Sequence, residues 1–496
     1  MTAKTNAQRA KTKEPLFQER VRPENWQNPV PREVYDLAIV GAGPAGIAAA
    51  EKAVRLGLGV ALIERGRLGG NSLNVGSVPS KAVIRTASIY AHLQDAEEFG
   101  APLHEEPSID FAMVLAHMRA IRARIAEYHS ARRLARQGID LFFGEARFEE
   151  SHELVVPGGR IRFKKALVAT GARPRPSNIP GLDKVGYCTS DSLFDMPTLP
   201  KRILVVGGGP LGCEMAQALR HLGLNVTIVQ NDPKFLPREE RDAAEILSRS
   251  LARCGVEIRL NTTVTRARME GSTKILETYN NEVEANLEAD EVLLSIGRIP
   301  NVEGLGLDQA GVAIDGDCGI AVDEHLRTSN ADIYAAGDVC MDLKFTNVAR
   351  ATALMAIDNA FSGGGRRHTE LLVPWCTYCD PEVAHVGMHI WDAHARNIPI
   401  KTFTVMMHDV DRAITDGQDE GFVKIHIEDG TDHILGATIV ASRASEMINE
   451  VLVIMNAGIS MTTLAGMVHA YPTQSEAIML AARAYIENRC MAERTR

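Results

Sequence analysis

Sulfur is thin in this chain. It has 496 residues and eight cysteines, scattered too widely to form a disulfide framework. None falls in GGNSLNVGSVPSKA at 69–82, where serines stand at 72 and 77. Long apolar runs are missing as well: no segment approaches the ~18 residues a membrane span needs. An excess of positive charge is missing too, since 54 Lys and Arg against 63 Asp and Glu leave a net charge of -9. That balance excludes a nucleic-acid surface built on clustered positive charge. The opening MTAKTNAQRAKTKEP has no apolar stretch of the secretory kind, so a cytoplasmic, thiol-reducing setting is expected.

What is present is ordinary globular material. Hydrophobic residues make up 45% and charged residues 24%, enough for about three domains at ~150 residues each. Residues 1–33 read as a loose polar arm whose prolines keep its end extended. Then YDLAIVGAGPAGIAAAEKAVRLGLGVALIER reads strand, Gly-rich turn, helix, strand. The pattern returns at 202–229 as RILVVGGGPLGCEMAQALRHLGLNVTIV. This internal repeat of a βαβ unit implies two nucleotide-binding domains. A helical stretch follows the first unit over about 80–135. The segments ALVATGARPRP, ADEVLLSIGRIPN and ADIYAAGDV close successive blocks. Beyond 371, strands such as GFVKIHI alternate with amphipathic helices, which suits an α+β domain.

A GxGxxG motif alone is weak evidence, but here each copy leaves an apolar strand and opens a helix. In the first copy, Gly41 permits the tight turn, Gly43 lets the backbone approach a pyrophosphate, and Gly46 lets helix and strand pack closely. The helix N-terminus favours phosphate charge. Glu64 ends the next strand 18 residues after Gly46, where an acid accepts hydrogen bonds from a ribose diol. In the second copy the glycines are Gly207, Gly209 and Gly212, and the counterpart of Glu64 is Gln230. An acid there would favour NADH and an arginine NADPH. Gln230 is neither, so both nucleotides stay open, with a lean to NADH because no arginine is adjacent.

Two βαβ units around ATG, with GRIPN and a late AAGDV, resemble the class I pyridine nucleotide-disulfide oxidoreductases over about 34–490. Within that family RVRPENWQNPVP, GGNSLNVGSVPSKA, PWCTYCDPEVAHVG and DRAITDGQDEGF look most like the mercuric-reductase-like and dihydrolipoamide-dehydrogenase-like members. The resemblance implies an α/β fold with two Rossmann-like domains and a C-terminal α+β dimerisation domain, FAD in the first domain and NADH or NADPH in the second. Its expected layout is an FAD domain over 34–185 and 310–370, a NAD(P) domain over 186–309 and a homodimer-forming domain over 371–496. By motif, Asp338 would hold the flavin ribitol, Thr170 and Gly171 would line the FAD site, and Gly297 would lie at the NAD(P) site. Lys81 would lie at the flavin paired with Glu214, the carboxylate offsetting the cost of burying the ammonium.

The chain departs from this family at two places. Disulfide-reducing members carry cysteines at the positions of Ser72 and Ser77. Dithiol relay needs a thiolate of pKa near ambient pH, which a serine hydroxyl cannot supply. The serines keep a bland role in helix capping and pocket filling. Such members also carry a histidine at the position of Tyr471, oriented by the counterpart of Glu476. Tyr471, with an ordinary pKa near 10, is a poor base but a hydrogen-bond donor. His469 is expected on the same side of an extended chain, about 6–7 Å away. The CTYC pair Cys376 and Cys379 diverges on a strand, no metal site is expected, and Cys213 reads as a small core residue.

Three readings share these residues. The first is an FAD-dependent NAD(P)H oxidoreductase serving a non-disulfide, small-molecule acceptor: quinone, dye, oxygen or a second nucleotide. The second is a disulfide or metal-ion reductase inactivated by replacement of both cysteines. The third is a non-enzymatic, NAD(P)H-sensing flavoprotein.

Overall fold

The computed structural model describes residues 13–102, 108–196, 198–281 and 283–494. The chain divides into two compact units. The first takes the described residues up to Ser177, with Cys188–Leu199 and Ile296–Leu371; the second takes Asn178–Tyr187, Pro200–Ser295 and Leu372 onward.

The first unit is built on a seven-stranded sheet. Tyr35–Val40 is its parallel centre, with Val60–Glu64 and then Asp140–Phe143 on one side and Gly159–Val168 on the other. Gly159–Val168 has two roles. Its first half pairs antiparallel with Glu153–Val156, and its second half pairs parallel with Ile333–Ala335. Strands buried on both faces read as near-continuous apolar runs, and Leu37, Ile39, Leu62 and Leu167 are all buried. Helix Pro44–Arg55 covers this sheet and carries Lys52, which is paired with Asp358 of helix Thr346–Phe361.

The second unit contains a four-stranded parallel sheet, in the order Glu257–Arg259, Asn225–Val229, Arg202–Val206, Glu291–Leu294. A three-stranded antiparallel sheet spans Thr263–Glu270, Thr273–Asn280 and Val283–Ala289. The same unit holds a five-stranded antiparallel sheet whose central strands are Phe422–Glu428 and Ile434–Ala441. Its apolar face, including Ile425 and Ile439, packs with Val451 and Ile478 from helices Ala444–Asn456 and Glu476–Arg494.

Three sequence expectations need correction. Residues 13–33 are not a loose arm. Lys13–Val21 is a helix with Phe17 and Val21 fully buried, because an apolar pair one turn apart gave it a face to dock. Residues 1–12 lie outside the described residues. Residues 296–309 belong to the first unit, since strand Arg298–Pro300 pairs with Ala172–Pro174. The boundary at 185/186 fails on both sides: residues 178–185 belong to the second unit, where Pro180 accepts a backbone hydrogen bond from Ala267 at 2.9 Å, and residues 188–199 belong to the first.

Candidate functional site

In the first unit, the turn after Tyr35–Val40 is closed by backbone contact. A Cβ at Gly41, at φ 103°, would lie 2.4 Å from the Ala169 carbonyl oxygen, and one at Gly46 would lie 1.8 Å from that of Gly41. Gly43 is different: its nearest neighbour would be 3.7 Å away, so the chain is open on that side. Gly43 is also the N-cap of Pro44–Arg55, and no side chain caps this helix. An open glycine at an uncapped helix start is the cradle a pyrophosphate needs. The Glu64 carboxylate accepts from Ala42 N at 2.8 Å and from Gly66 N at 2.6 Å. Burial pushes Glu64 upward, against the pull of those two N–H groups and of Arg65 and Arg22. These residues fit FAD.

The serine-bearing stretch is two helices, Gly70–Asn74 and Ser77–Gln94. Ser72 lies in the first, and its hydroxyl is hydrogen-bonded to that of Thr346. Ser77 is exposed and does not cap the second helix, because the cap position belongs to Gly76; the capping expectation fails by one residue. Lys81 stands in the second turn of that helix. Asn71 donates to the Ala172 carbonyl at 2.6 Å, and Arg298 donates to the same oxygen at 2.6 Å. Thr170 Oγ1 donates to Asn301 O at 2.7 Å, and Asn301 Nδ2 donates back to Thr170 O at 2.9 Å. Gly171 and Gly297 both hold positive φ, 70° and 99°. Asp338 sits in the short helical turn Gly337–Val339, its carboxyl pushed up by burial and held back by the charges of Arg298 and Lys344. Arg298, Thr346 and Asn71 escaped the sequence reading. Arg298 carried a signal, a lone arginine in GRIPN, but its partners are far away in sequence.

The second unit repeats the glycine turn. A Cβ at Gly212 would lie 2.1 Å from the Gly207 carbonyl oxygen, while Gly209 has nothing within 4 Å. Gly209 caps Pro210–His221, again without a side-chain cap. Gln230 Oε1 accepts from Gly208 N at 2.7 Å, the place Glu64 takes in the first turn. Glu214 is buried, and its Oε1 accepts from the backbone N–H of Tyr378 at 3.0 Å. Cys213 is fully buried, and that burial, with Glu214 beside it, pushes its thiol up. Lys81 and Glu214 lie in different units.

Tyr471 is 69% exposed, and its hydroxyl donates to Asp411 Oδ2 at 2.7 Å. His469 Nε2 meets Glu450 Oε1 at 2.7 Å instead, so the two side chains engage different partners. Glu476 begins helix Glu476–Arg494. A cavity of 150 Å³ beside this turn is lined by Arg412, Arg443, Glu446, Thr473 and Gln474 among others. Cys376 lies within strand Trp375–Thr377 and Cys379 beyond its end. Among the described residues, no group of three His, Cys, Asp or Glu side chains could hold a metal ion.

The second unit also buries a titratable network that no motif announced. Glu240 meets His426 Nε2 at 2.6 Å and Lys424 Nζ at 2.6 Å. Burial would raise Glu240, but these partners outweigh it and bring the carboxyl down to about 2. Glu239 accepts from the Trp375 indole at 2.9 Å and is pushed by burial up to about 7. His385 and His389 stack with centroids 3.5 Å apart. Burial depresses both, to about 3 and about 4.

Comparison with known proteins gives the same architecture. Residues 35–362 match the pyridine nucleotide-disulphide oxidoreductase family, and residues 373–482 match its dimerisation domain. A mercuric reductase of Lysinibacillus sphaericus is 31% identical over 90% of this chain and 82% of its own length. A dihydrolipoyl dehydrogenase of Thermus scotoductus is 32% identical over 91% of this chain and 97% of its own. The crystal structure of LpdA from Mycobacterium tuberculosis superposes with a TM-score of 0.83 at 28% identity, covering 91% of this chain and 99% of LpdA. No helix among the described residues is long and apolar enough to cross a membrane. The family's cofactors are FAD and NAD(P)H, its dimerisation domain supports a homodimer, and the chain belongs to the pyridine nucleotide-disulphide oxidoreductases.

Proposed function

We propose that this chain is an FAD-dependent NAD(P)H oxidoreductase whose electrons leave to a small non-disulfide acceptor. The observation that carries this reading is the Ser72 hydroxyl, hydrogen-bonded to Thr346 in the helix where disulfide-reducing relatives are read to carry a thiol. The cysteines of the first unit are Cys188, Cys318 and Cys340. None lies in the 69–82 stretch, and burial pushes Cys340 far above the range of a working thiolate.

FAD, when bound, accepts a hydride from NAD(P)H and passes the electrons on. Gly41, Gly43, Gly46, Glu64, Thr170, Gly171 and Asp338 hold and orient it in this reading. Gly207, Gly209, Gly212 and Gln230 bind the nicotinamide nucleotide in this reading; Gly297, expected with them, falls in the first unit. Lys81 supplies positive charge at the flavin in this reading. Tyr471 and Glu476 complete the site in the homodimer, where Tyr471 donates a hydrogen bond rather than acting as a base. Domain limits follow the expected plan, with residues 188–199 and 296–309 counted with the FAD domain and residues 178–185 with the NAD(P) domain.

Curated relatives are named for mercuric ion and dihydrolipoamide chemistry, and that sets the test. Steady-state oxidation of NADH and NADPH is measured with a benzoquinone, with lipoamide and glutathione disulfides, and with Hg(II). Turnover with the quinone and none with disulfides or Hg(II) is expected. Turnover with a disulfide or Hg(II) at the quinone rate overturns the proposal.

A further inference from the structure

The segment Lys13–Asn28 touches the first nucleotide cradle at several places. Arg22 Nη1 donates to the carbonyl of Arg65 at 2.6 Å and to that of Gly66 at 2.7 Å. Those carbonyls belong to the turn whose Gly66 N–H is bonded to Glu64. Leu68 N donates to Val21 O at 3.0 Å, which fastens the same turn from its far end. Asn28 mimics a neighbouring strand: Nδ2 donates to Phe143 O at 3.0 Å and Oδ1 accepts from Phe143 N at 2.8 Å. Trp26 Nε1 donates to Leu141 O at 3.1 Å and meets Phe143 edge-on at 5.9 Å. The Arg22 guanidinium lies 5.2 Å from the Phe143 ring centre. Strand Asp140–Phe143 is the sheet edge next to the strand that ends in Glu64.

The helix before Arg22 is anchored independently. Phe17 is fully buried under Arg122, whose guanidinium lies 4.4 Å from its ring centre. Arg122 in turn donates to Asn74 O at 3.1 Å and pairs with Glu14 at 3.0 Å. One end of the segment therefore grips Arg122, which holds the end of the helix that carries Ser72, and the other grips the Glu64 turn.

We propose that Lys13–Asn28 is a built-in clamp on the ribose end of the FAD site, with Arg22 as its positioning residue acting through Glu64. The inference rests on the reading of Glu64 as the acceptor for a ribose diol. An ionised Glu64 accepts more strongly from the hydroxyls, yet burial works against its charge. Arg22 adds its charge to that of Arg65 and to the two backbone N–H groups against burial, and it fixes the turn with two charge-assisted hydrogen bonds, which are stronger than neutral ones.

The test is release of FAD from the purified holoenzyme, followed by the rise in flavin fluorescence on dilution. Arg22→Met should weaken FAD binding about tenfold to a hundredfold, as expected for loss of two charge-assisted hydrogen bonds. Arg22→Lys should stay within a few-fold of wild type. Arg22→Gln keeps a donor but no charge and should fall between, and it carries the test if the Met variant does not fold. Glu64→Gln should weaken FAD on its own, and Arg22→Met combined with Glu64→Gln should cost less than the sum of the two. A purely structural role would instead lower the melting temperature of apo and holo forms alike and give additive effects. Unchanged release from Arg22→Met and Arg22→Gln, or strict additivity, overturns the clamp while a weakened Glu64→Gln keeps the FAD site. Wild-type protein that takes up no FAD overturns both.

Discussion

The hydroxyls of Ser72 and Thr346 are hydrogen-bonded to one another, although 274 residues separate them in sequence. A pair of neutral hydroxyls stores no electrons and offers no thiolate. Thr346 is the first residue of helix Thr346–Phe361, so the bond also fixes the start of that helix against the turn Gly70–Asn74.

An anaerobic reductive titration reads this directly. One equivalent of dithionite per flavin should bleach the protein fully, with no long-wavelength charge-transfer band on the way. Consumption of two equivalents, with such a band after the first, would show that a cysteine pair has taken over the relay.

Nucleotide choice should turn on Gln230. Its side-chain oxygen holds Gly208 N at 2.7 Å as Glu64 holds Ala42 N at 2.8 Å, so Gln230→Glu keeps the turn and adds a charge. That charge repels a 2'-phosphate and accepts from a 2'-hydroxyl. The ratio of kcat/KM for NADH over NADPH should rise about tenfold or more, the ~1.4 kcal/mol that one factor of ten represents. An unchanged ratio would mean that the ribose does not reach residue 230.

Lys81→Met tests the proposed charge at the flavin. The variant should keep its yellow cofactor, but its flavin should become harder to reduce and NAD(P)H should reduce it more slowly in stopped flow. Wild-type potential and rate would remove Lys81 from the site.

The polar network of the second unit has a signed pH dependence. His385 and His389 take up protons near pH 6.5 when unfolded, but only at about 3 and about 4 when folded. The unfolded chain binds more protons in that window, so both groups make stability rise with pH and fall on acidification below about 6.5. Glu239 runs the other way. Folded, it keeps its proton up to about 7, and unfolded it loses it near the ordinary 4.5, so its term falls as pH rises between those values. Glu239→Gln should therefore steepen the gain in stability between pH 5 and 6 by about 1 kcal/mol. Urea unfolding of variant and wild type at both pH values measures it; equal gains would mean that Glu239 is already ionised in the folded protein.

The legible parts were those in which one residue type has one local reason. Gly41, Gly46, Gly207 and Gly212 sit where a Cβ would strike backbone, and the GxGxxG spacing announces that. Glu64 and Gln230 follow from strand length. What could not be read depends on distant partners. Arg298 finds Ala172 across 126 residues, and Asn28 finds Phe143 across 115. Ser77 was misplaced by a single position because Gly76 took the cap. His469 and Tyr471 meet Glu450 and Asp411, partners on other elements that the local spacing does not name.

The first sheet is completed late. Its strand Ile333–Ala335 pairs with Ala166–Val168 only after the whole stretch 200–295 has been made. During synthesis, which runs from the N-terminus at about 5–20 residues per second, the strands Arg202–Val206 and Glu291–Leu294 can meet while the edge at Ala166–Val168 still lacks its parallel partner. The nucleotide fold that begins second in sequence can thus finish first, and the earlier one waits for a strand and a helix from beyond it. A nascent chain stopped before residue 333 would expose an unpaired, apolar sheet edge, the kind of surface that recruits chaperones or aggregates.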